Sequence, residues 1–259
     1  MEIMTRVSTE KLTDEEYLER KCKRANDAIG DFEGYECTVC KNKGEIYVIV
    51  DGNMIARECK CMNIRINLEM IAKSGLSDLI ERYTFENYET LEEWQKRVKN
   101  DALNFVTKSG KCFFIGGAVG AGKTHICTAI VSELMGHGKR AKYMMYRDES
   151  VLLKGLINRA PEEYTERIEL LKRIDVLYID DLFKSSKGAI PTEADIKLVF
   201  EIINSRYCDR SKITVISTEK TIKELIDIDA ATGSRIKEMS GKEYTIDLRD
   251  DGKKNWRLK

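Results

Sequence analysis

The stretch KCFFIGGAVGAGKTHICTAIVSELMGHG, residues 111–138, decides the fold. It opens with an apolar run, KCFFIG (111–116), whose length and β-favouring side chains predict a strand. Gly117-Ala-Val-Gly-Ala-Gly-Lys-Thr124 then matches G-x-x-x-x-G-K-[ST] at every fixed position, and a helical stretch follows directly. That order is what phosphate binding requires. The glycines let backbone N–H groups close around phosphate oxygens, and the helix N-terminus adds its partial positive charge. Gly117, Gly120, Ala121, Gly122, Lys123, Thr124 and His125 are the expected nucleotide cradle. Lys123 is expected to reach the β- and γ-phosphates of ATP, with the Thr124 hydroxyl on Mg²⁺.

Downstream of this loop, apolar strands alternate with helical stretches. They are RAKYMMY (140–146), IDVLYI (174–179), KITVIS (212–217) and EYTIDL (243–248). With KCFFIG they make five, and alternation of this kind predicts an α/β layer fold on a mainly parallel sheet. The third strand runs into Asp180-Asp181, 56 residues beyond Thr124. Asp180 is the expected second Mg²⁺ ligand and Asp181 the group that polarises the attacking water. KITVIS ends in Ser217-Thr218-Glu219, where Thr218 or Glu219 is a candidate for orienting water at the γ-phosphate.

Upstream, Cys37-x2-Cys40 is followed after eighteen residues by Cys59-x-Cys61. Between them EIYVIV, Asp51-Gly52 and NMIARE read as a hairpin with a two-residue type I′ turn. Pairing Val50 with Asn53 puts Gly44 opposite Cys59, so both cysteine pairs meet at the open end of one hairpin. Four thiolates there match a closed, structural zinc site, and a module this small would draw much of its folding energy from the metal. The other four cysteines, Cys22, Cys112, Cys127 and Cys208, are scattered and read as ordinary core or surface residues. A first helix is predicted over 13–30, capped by Thr13 with Glu16 and stopped by Gly30. A second is predicted over 62–73, closed by Ser74-Gly75. The expected domains are 1–75, zinc-binding, and 76–259, nucleotide-binding.

Composition sets the outer bounds. The chain has 259 residues, 44 basic and 44 acidic, with 34% charged and 42% apolar side chains, an ordinary globular balance. Zero net charge excludes a histone-like nucleic-acid binder but not a local basic groove. There is no apolar run long enough to span a bilayer and no signal-peptide core at the start, so a cytoplasmic protein without membrane contact is expected. Residues 1–75 carry 12 basic and 14 acidic side chains, against 32 and 30 in 76–259. The cysteine module is therefore read as a protein-binding unit. Tyr143-Met-Met-Tyr146-Arg147 with Lys154 mixes aromatic and basic groups as single-stranded DNA binding needs, and Lys184 with Lys187 is a second option.

Taken together, these segments resemble the DnaC/DnaI/IstB group of AAA+ ATPases, and within it the phage-type DnaC-like helicase loaders. The resemblance covers nearly the whole chain. SGLSDLIERYTFENYETLEEWQ is similar to the group's entry into the ATPase domain, and GGAVGAGKTH and VLYIDDLFK to its Walker A and Walker B segments. TEADIKLVFEIINSRY, ITVISTEKTIKEL and DAATGSRIKEM resemble its helix, sensor strand and arginine-finger segment. The resemblance implies a P-loop AAA+ (ASCE) five-stranded sheet in which KITVIS lies between the phosphate-loop and acidic strands. With only eleven residues beyond the fifth strand, the C-terminal helical lid of many AAA+ proteins is not expected. Arg235 would reach a neighbouring subunit's nucleotide, which requires a helical or spiral oligomer. Glu219 stands where the group often carries Asn. The implied activity is an ATPase that loads a DnaB-type replicative helicase onto single-stranded DNA in a bacterial cell or phage-infected host. An IstB-like transposition helper and a non-hydrolysing zinc-dependent adaptor are the alternatives.

Overall fold

The computed structural model describes residues 13–74, 77–184, 189–248 and 254–255. The chain divides into two compact units between Arg65 and Ile66.

In the first unit, helix α1 (Asp14–Asp27) starts from the Thr13–Glu16 capping box that the sequence predicts. It ends three residues short of Gly30, and the reason lies in tertiary contacts. Asn26 turns its amide onto both backbone groups of Tyr47, at 2.8 Å each, and pins the helix end to strand β1 (Glu45–Val50). Gly30 has a different task from stopping a helix. A Cβ there would lie 2.3 Å from the Asn42 carbonyl, so only glycine admits that backbone approach. β1 pairs with β2 (Asn53–Glu58) in the predicted register, Val50 opposite Asn53. Asp51 and Gly52 both have positive φ, as a type I′ turn demands. Helix α2 (Cys61–Ser74) begins at the last cysteine of the cluster and passes from the first unit into the second.

The predicted domain boundary followed residue 75, whereas the observed division falls inside α2. Buried Asn67 accounts for the difference. Its Oδ1 accepts from the Ala141 N–H and its amide donates to the Lys139 carbonyl, so the second half of α2 is tied to the nucleotide-binding unit.

The second unit continues through α3 (Ser77–Arg82), α4 (Glu93–Thr107), β3 (Cys112–Gly117), α5 (Lys123–Gly136), β4 (Ala141–Met145), α6 (Tyr146–Arg159), α7 (Pro161–Arg173), β5 (Val176–Asp180), α8 (Glu193–Cys208), β6 (Ile213–Ser217), α9 (Ile222–Ile228), α10 (Ala230–Ser240) and β7 (Thr245–Leu248). The sheet is five-stranded and wholly parallel, in the order β4-β5-β6-β3-β7. β6 is thus inserted between β3 and β5, as the resemblance implies.

Successive side chains of a strand point to opposite faces, and the two cores follow that alternation. Phe113, Ile115, Tyr178 and Val215 pack with residues of α4 and α5 on one face. Phe114, Leu177, Ile179 and Ile216 pack with α7, α8 and α10 on the other. Helices on both faces explain why β3, β5 and β6, each buried along its whole length, read as nearly continuous apolar runs. Pro161 is the first residue of α7, where its missing N–H costs nothing. Among the described residues no helix is long and apolar enough to cross a membrane.

Candidate nucleotide site and cysteine cluster

The phosphate loop joins β3 to α5, and its glycines are there for geometry. Gly117, Gly120 and Gly122 all have positive φ, and Gly122 is the N-cap of α5. A Cβ on Gly117 would lie 1.9 Å from the Leu248 carbonyl, which also accepts the Ala118 N–H at 2.9 Å. The end of β7 therefore braces the loop. Lys123 is buried, and its ammonium donates to the carbonyls of Gly117 (2.9 Å) and Ala118 (2.6 Å). Burial holds its pKa below the ordinary lysine value; Glu219 and Asp181 oppose that shift and Lys184 adds to it. A cavity of about 240 Å³ opens over the loop, lined among others by Gly120 to His125, Asp181, Lys184 and Glu219.

β6, beside β3, and β5, the next strand out, bring acidic groups to this end of the sheet. Asp180, at the end of β5, is buried; one carboxylate oxygen lies 3.3 Å from the Thr124 hydroxyl. The other accepts from the Tyr143 hydroxyl at 3.0 Å. The Ser217 hydroxyl, at the end of β6, also donates to Asp180, and the Asp181 N–H donates to Ser217 Oγ at 3.2 Å. Ser217 thus orients both acidic residues. A hydroxyl and a buried carboxylate side by side are hard oxygen donors of the kind Mg²⁺ takes. His125 lines the cavity, but its Nε2 lies 2.9 Å from the Thr84 carbonyl and its ring stacks on Tyr83. Those contacts fix the entry segment against α5, and burial depresses the His125 pKa.

Other expected residues are placed differently. Thr218 is buried with its hydroxyl donating to the Leu182 carbonyl at 2.7 Å, so it supports a turn and is turned away from phosphate. Glu219 does line the cavity, paired with Lys184 at 3.0 Å. Arg235 is not among the cavity's lining residues. It lies within α10, bonded to Asn204 Oδ1 (3.0 Å) and the Ala231 carbonyl (2.8 Å), over the rings of Phe200 and Tyr207. Tyr146 is only 4% exposed; its hydroxyl donates to Asp195 and its ring meets Phe183, so no face is open for a base to stack on. Lys154 pairs with the same Asp195 carboxylate at 2.6 Å. Tyr146, Arg147, Lys154 and Lys184 do line one further cavity of about 240 Å³. Lys187 lies outside the described residues.

In the first unit, Cys37, Cys40, Cys59 and Cys61 present sulfurs that all lie within 4.8 Å of one another. Cys37 and Cys59 are 3.8 Å apart and Cys40 and Cys61 3.4 Å. Four sulfurs at about 2.3 Å from one tetrahedral ion would stand about 3.8 Å apart, so the set fits zinc. The hairpin register delivers it: the Cys59 N–H donates to the Gly44 carbonyl at 2.7 Å, and the Gly44 N–H points at Cys40 Sγ at 3.3 Å. Lys41, Asn42 and Gly44 take positive φ to make that turn. Burial works to raise the Cys40 thiol, but the Gly44 N–H and the other thiols outweigh it and bring it down to about 6. Burial and the neighbouring sulfurs push Cys61 up to about 12. Such a cluster cannot hold four thiolates without a cation between them. Arg65 closes the turn, donating to the carbonyls of Glu33 and Tyr35 and to Asn42 Oδ1.

A wholly parallel sheet with a phosphate loop after β3, between β6 and β7, and an acidic pair at the end of β5 defines a P-loop nucleotide-binding protein of AAA+ architecture. A family model described as IstB-like ATP binding protein matches residues 41–229, and the chain belongs to that family. It is 28% identical over 213 residues to YqaM of Bacillus subtilis, covering 76% of this chain and 64% of that one. It is 28% identical to the phage-like element PBSX protein XkdC of Bacillus subtilis, over 91% of both chains. The replicative helicase loader DnaC of Buchnera aphidicola is 30% identical over 49% of this chain and 52% of its own length. Among solved structures, the DnaC helicase loader superposes with a TM-score of 0.54 at 23% identity, over 66% of this chain and 97% of that one. That likeness is one of fold.

Proposed function

We propose that the protein is an ATP-hydrolysing loader that places a DnaB-type replicative helicase onto single-stranded DNA. The observation that carries the reading is the combination in one chain of a phosphate loop, an acidic pair fixed by Ser217 and a separate four-cysteine unit. Its similarity to a replicative helicase loader supports the choice of partner. ATP sits on the loop from Gly117 to Thr124, with Lys123 leaving the loop carbonyls for the β- and γ-phosphates. Thr124 and Asp180 hold Mg²⁺, and Asp181 polarises the attacking water. Zinc bound by Cys37, Cys40, Cys59 and Cys61 holds the first unit in shape for the helicase. Arg235, released from Phe200 and Tyr207, completes a neighbouring copy's site in a spiral oligomer. Arg147 and its neighbours contact the DNA.

Size-exclusion chromatography with the host's replicative helicase tests the reading. A complex is expected with wild-type protein and is lost when zinc is chelated; no complex under any nucleotide condition would remove the loader reading. A transposition helper, the second reading from the same family, would instead co-elute with a transposase.

A further inference from the structure

The turn that follows β5 is strained and heavily braced. Asp181 and Phe183, neither of them glycine, have φ of 54° and 56°, a conformation that persists in such residues only where the surroundings over-determine it. Here β6 supplies the bracing. The Asp181 N–H donates to Ser217 Oγ, the Leu182 N–H to the Ser217 carbonyl at 2.9 Å, and Thr218 Oγ1 to the Leu182 carbonyl. Leu182 and Phe183 are buried, and the Lys184 N–H closes the turn onto the Asp181 carbonyl at 2.9 Å. The result of all this is the placement of one side chain. Lys184 reaches the wall of the phosphate cavity, where its ammonium lies 2.9 Å from Asp181 and 3.0 Å from Glu219. It is close enough to Lys123 to lower that residue's pKa. Lys184 and its two partners are each about a third exposed, and ion pairs so solvated stabilise a fold little. Stability alone does not account for the strained turn.

We propose that Lys184 is a second phosphate-contacting cation, restrained by Asp181 and Glu219 until the terminal phosphate of a nucleoside triphosphate enters the cavity. This rests on the reading of the cavity as the ATP site. A terminal phosphate carries more charge than either carboxylate and offers three acceptor oxygens, while the lysine ammonium has three donors on a flexible stem. On its arrival the ammonium turns to the phosphate and releases Asp181. Asp181 is then free to accept from water only when a triphosphate is present, so the diphosphate leaves the site in its resting, ion-paired state. Glu219 sets how firmly Lys184 is held back.

Titration of the full chain with fluorescent ADP and a fluorescent non-hydrolysable ATP analogue, in Mg²⁺, tests this. Wild-type protein should favour the triphosphate by about tenfold or more, the scale of one charge-assisted contact. Lys184→Met should lose most of that preference with ADP affinity unchanged within about twofold, and Lys184→Arg should keep it. Glu219→Gln, which leaves Lys184 in place, should raise the preference. An unchanged preference in either Lys184→Met or Glu219→Gln overturns the proposal while leaving the ATP site intact. Wild-type protein that binds neither nucleotide overturns the ATP-site reading and this proposal with it.

Discussion

Removing the Ser217 hydroxyl should unsettle both acidic residues of the site at once, before any nucleotide is bound. Ser217 Oγ donates to the buried Asp180 carboxylate and accepts from the Asp181 N–H. Ser217→Ala therefore takes one donor from the buried Asp180 carboxylate and leaves the part-buried Asp181 N–H without its partner. A hydrogen bond to a charged group is worth about 1.5–3 kcal/mol, and the surviving partners keep their desolvation cost. Asp180 retains Tyr143, which softens the loss, so the expected destabilisation is about 2 kcal/mol. For a unit of this size that lowers Tm by about 4–8 °C. Urea unfolding of wild type, Ser217→Ala, Asp180→Ala and the double variant, without nucleotide, isolates the pair. The coupling energy should come out near 2 kcal/mol. A value below about 0.5 kcal/mol, the ordinary scatter of additivity, would refute the claim that Ser217 positions the carboxylate.

Arg206, 1% exposed, donates to the carbonyls of Leu171, Lys172, Ile174, Asp175 and Ile213 and to Thr214 Oγ1, and among the described residues no carboxylate is bonded to it. Arg206→Leu should cost about 3–5 kcal/mol, read as a Tm loss of at least about 6 °C; a loss under about 3 °C would contradict the stapling role. Asp195 shows a pH dependence of known sign: burial raises its pKa, but Lys154 and Thr192 outweigh burial and hold it near 2. A depressed acid stabilises the fold above its unfolded pKa and loses that contribution as pH falls through the folded one. The urea-midpoint gap between wild type and Lys154→Met should accordingly be full at pH 5 and above and shrink as pH falls toward 2. A gap that is constant with pH would show that the pair contributes nothing. Cys59→Ser should lower bound zinc, measured by elemental analysis, from about one ion per chain to near zero. Stoichiometric zinc in that variant would sink the four-thiolate assignment.

The parts of this molecule legible in sequence are those fixed by local chemistry. Asp51-Gly52 dictates a type I′ turn, the turn dictates the register, and the register carries Gly44 to Cys59 and closes the cysteine cluster. The phosphate loop is legible for the same reason, since loop, strand and helix are contiguous. What stayed hidden depends on strands far apart in sequence. Ser217 is one polar residue in a strand-end run, and only the insertion of β6 beside β5 shows that it, and not Thr218, faces the acids. Arg206 looks like a surface residue of an amphipathic helix until the chain ends of α7 and β6 are seen to converge on it. Tyr146 and Lys154 read as a nucleic-acid groove because aromatic and basic residues adjoin; the Asp195 that engages both is 49 and 41 residues away from them in sequence. Lys184 was visible as a charge but not as a neighbour of Glu219.

The most direct measurement is delivery of the helicase itself. Circular single-stranded DNA, the host's DnaB-type helicase and this protein are mixed with ATP, and helicase retained on the circles is counted after a salt wash. The account predicts that wild-type protein raises retained helicase several-fold over helicase alone, and that Lys123→Ala does not. Equal retention with wild-type protein, Lys123→Ala and no added protein would contradict it.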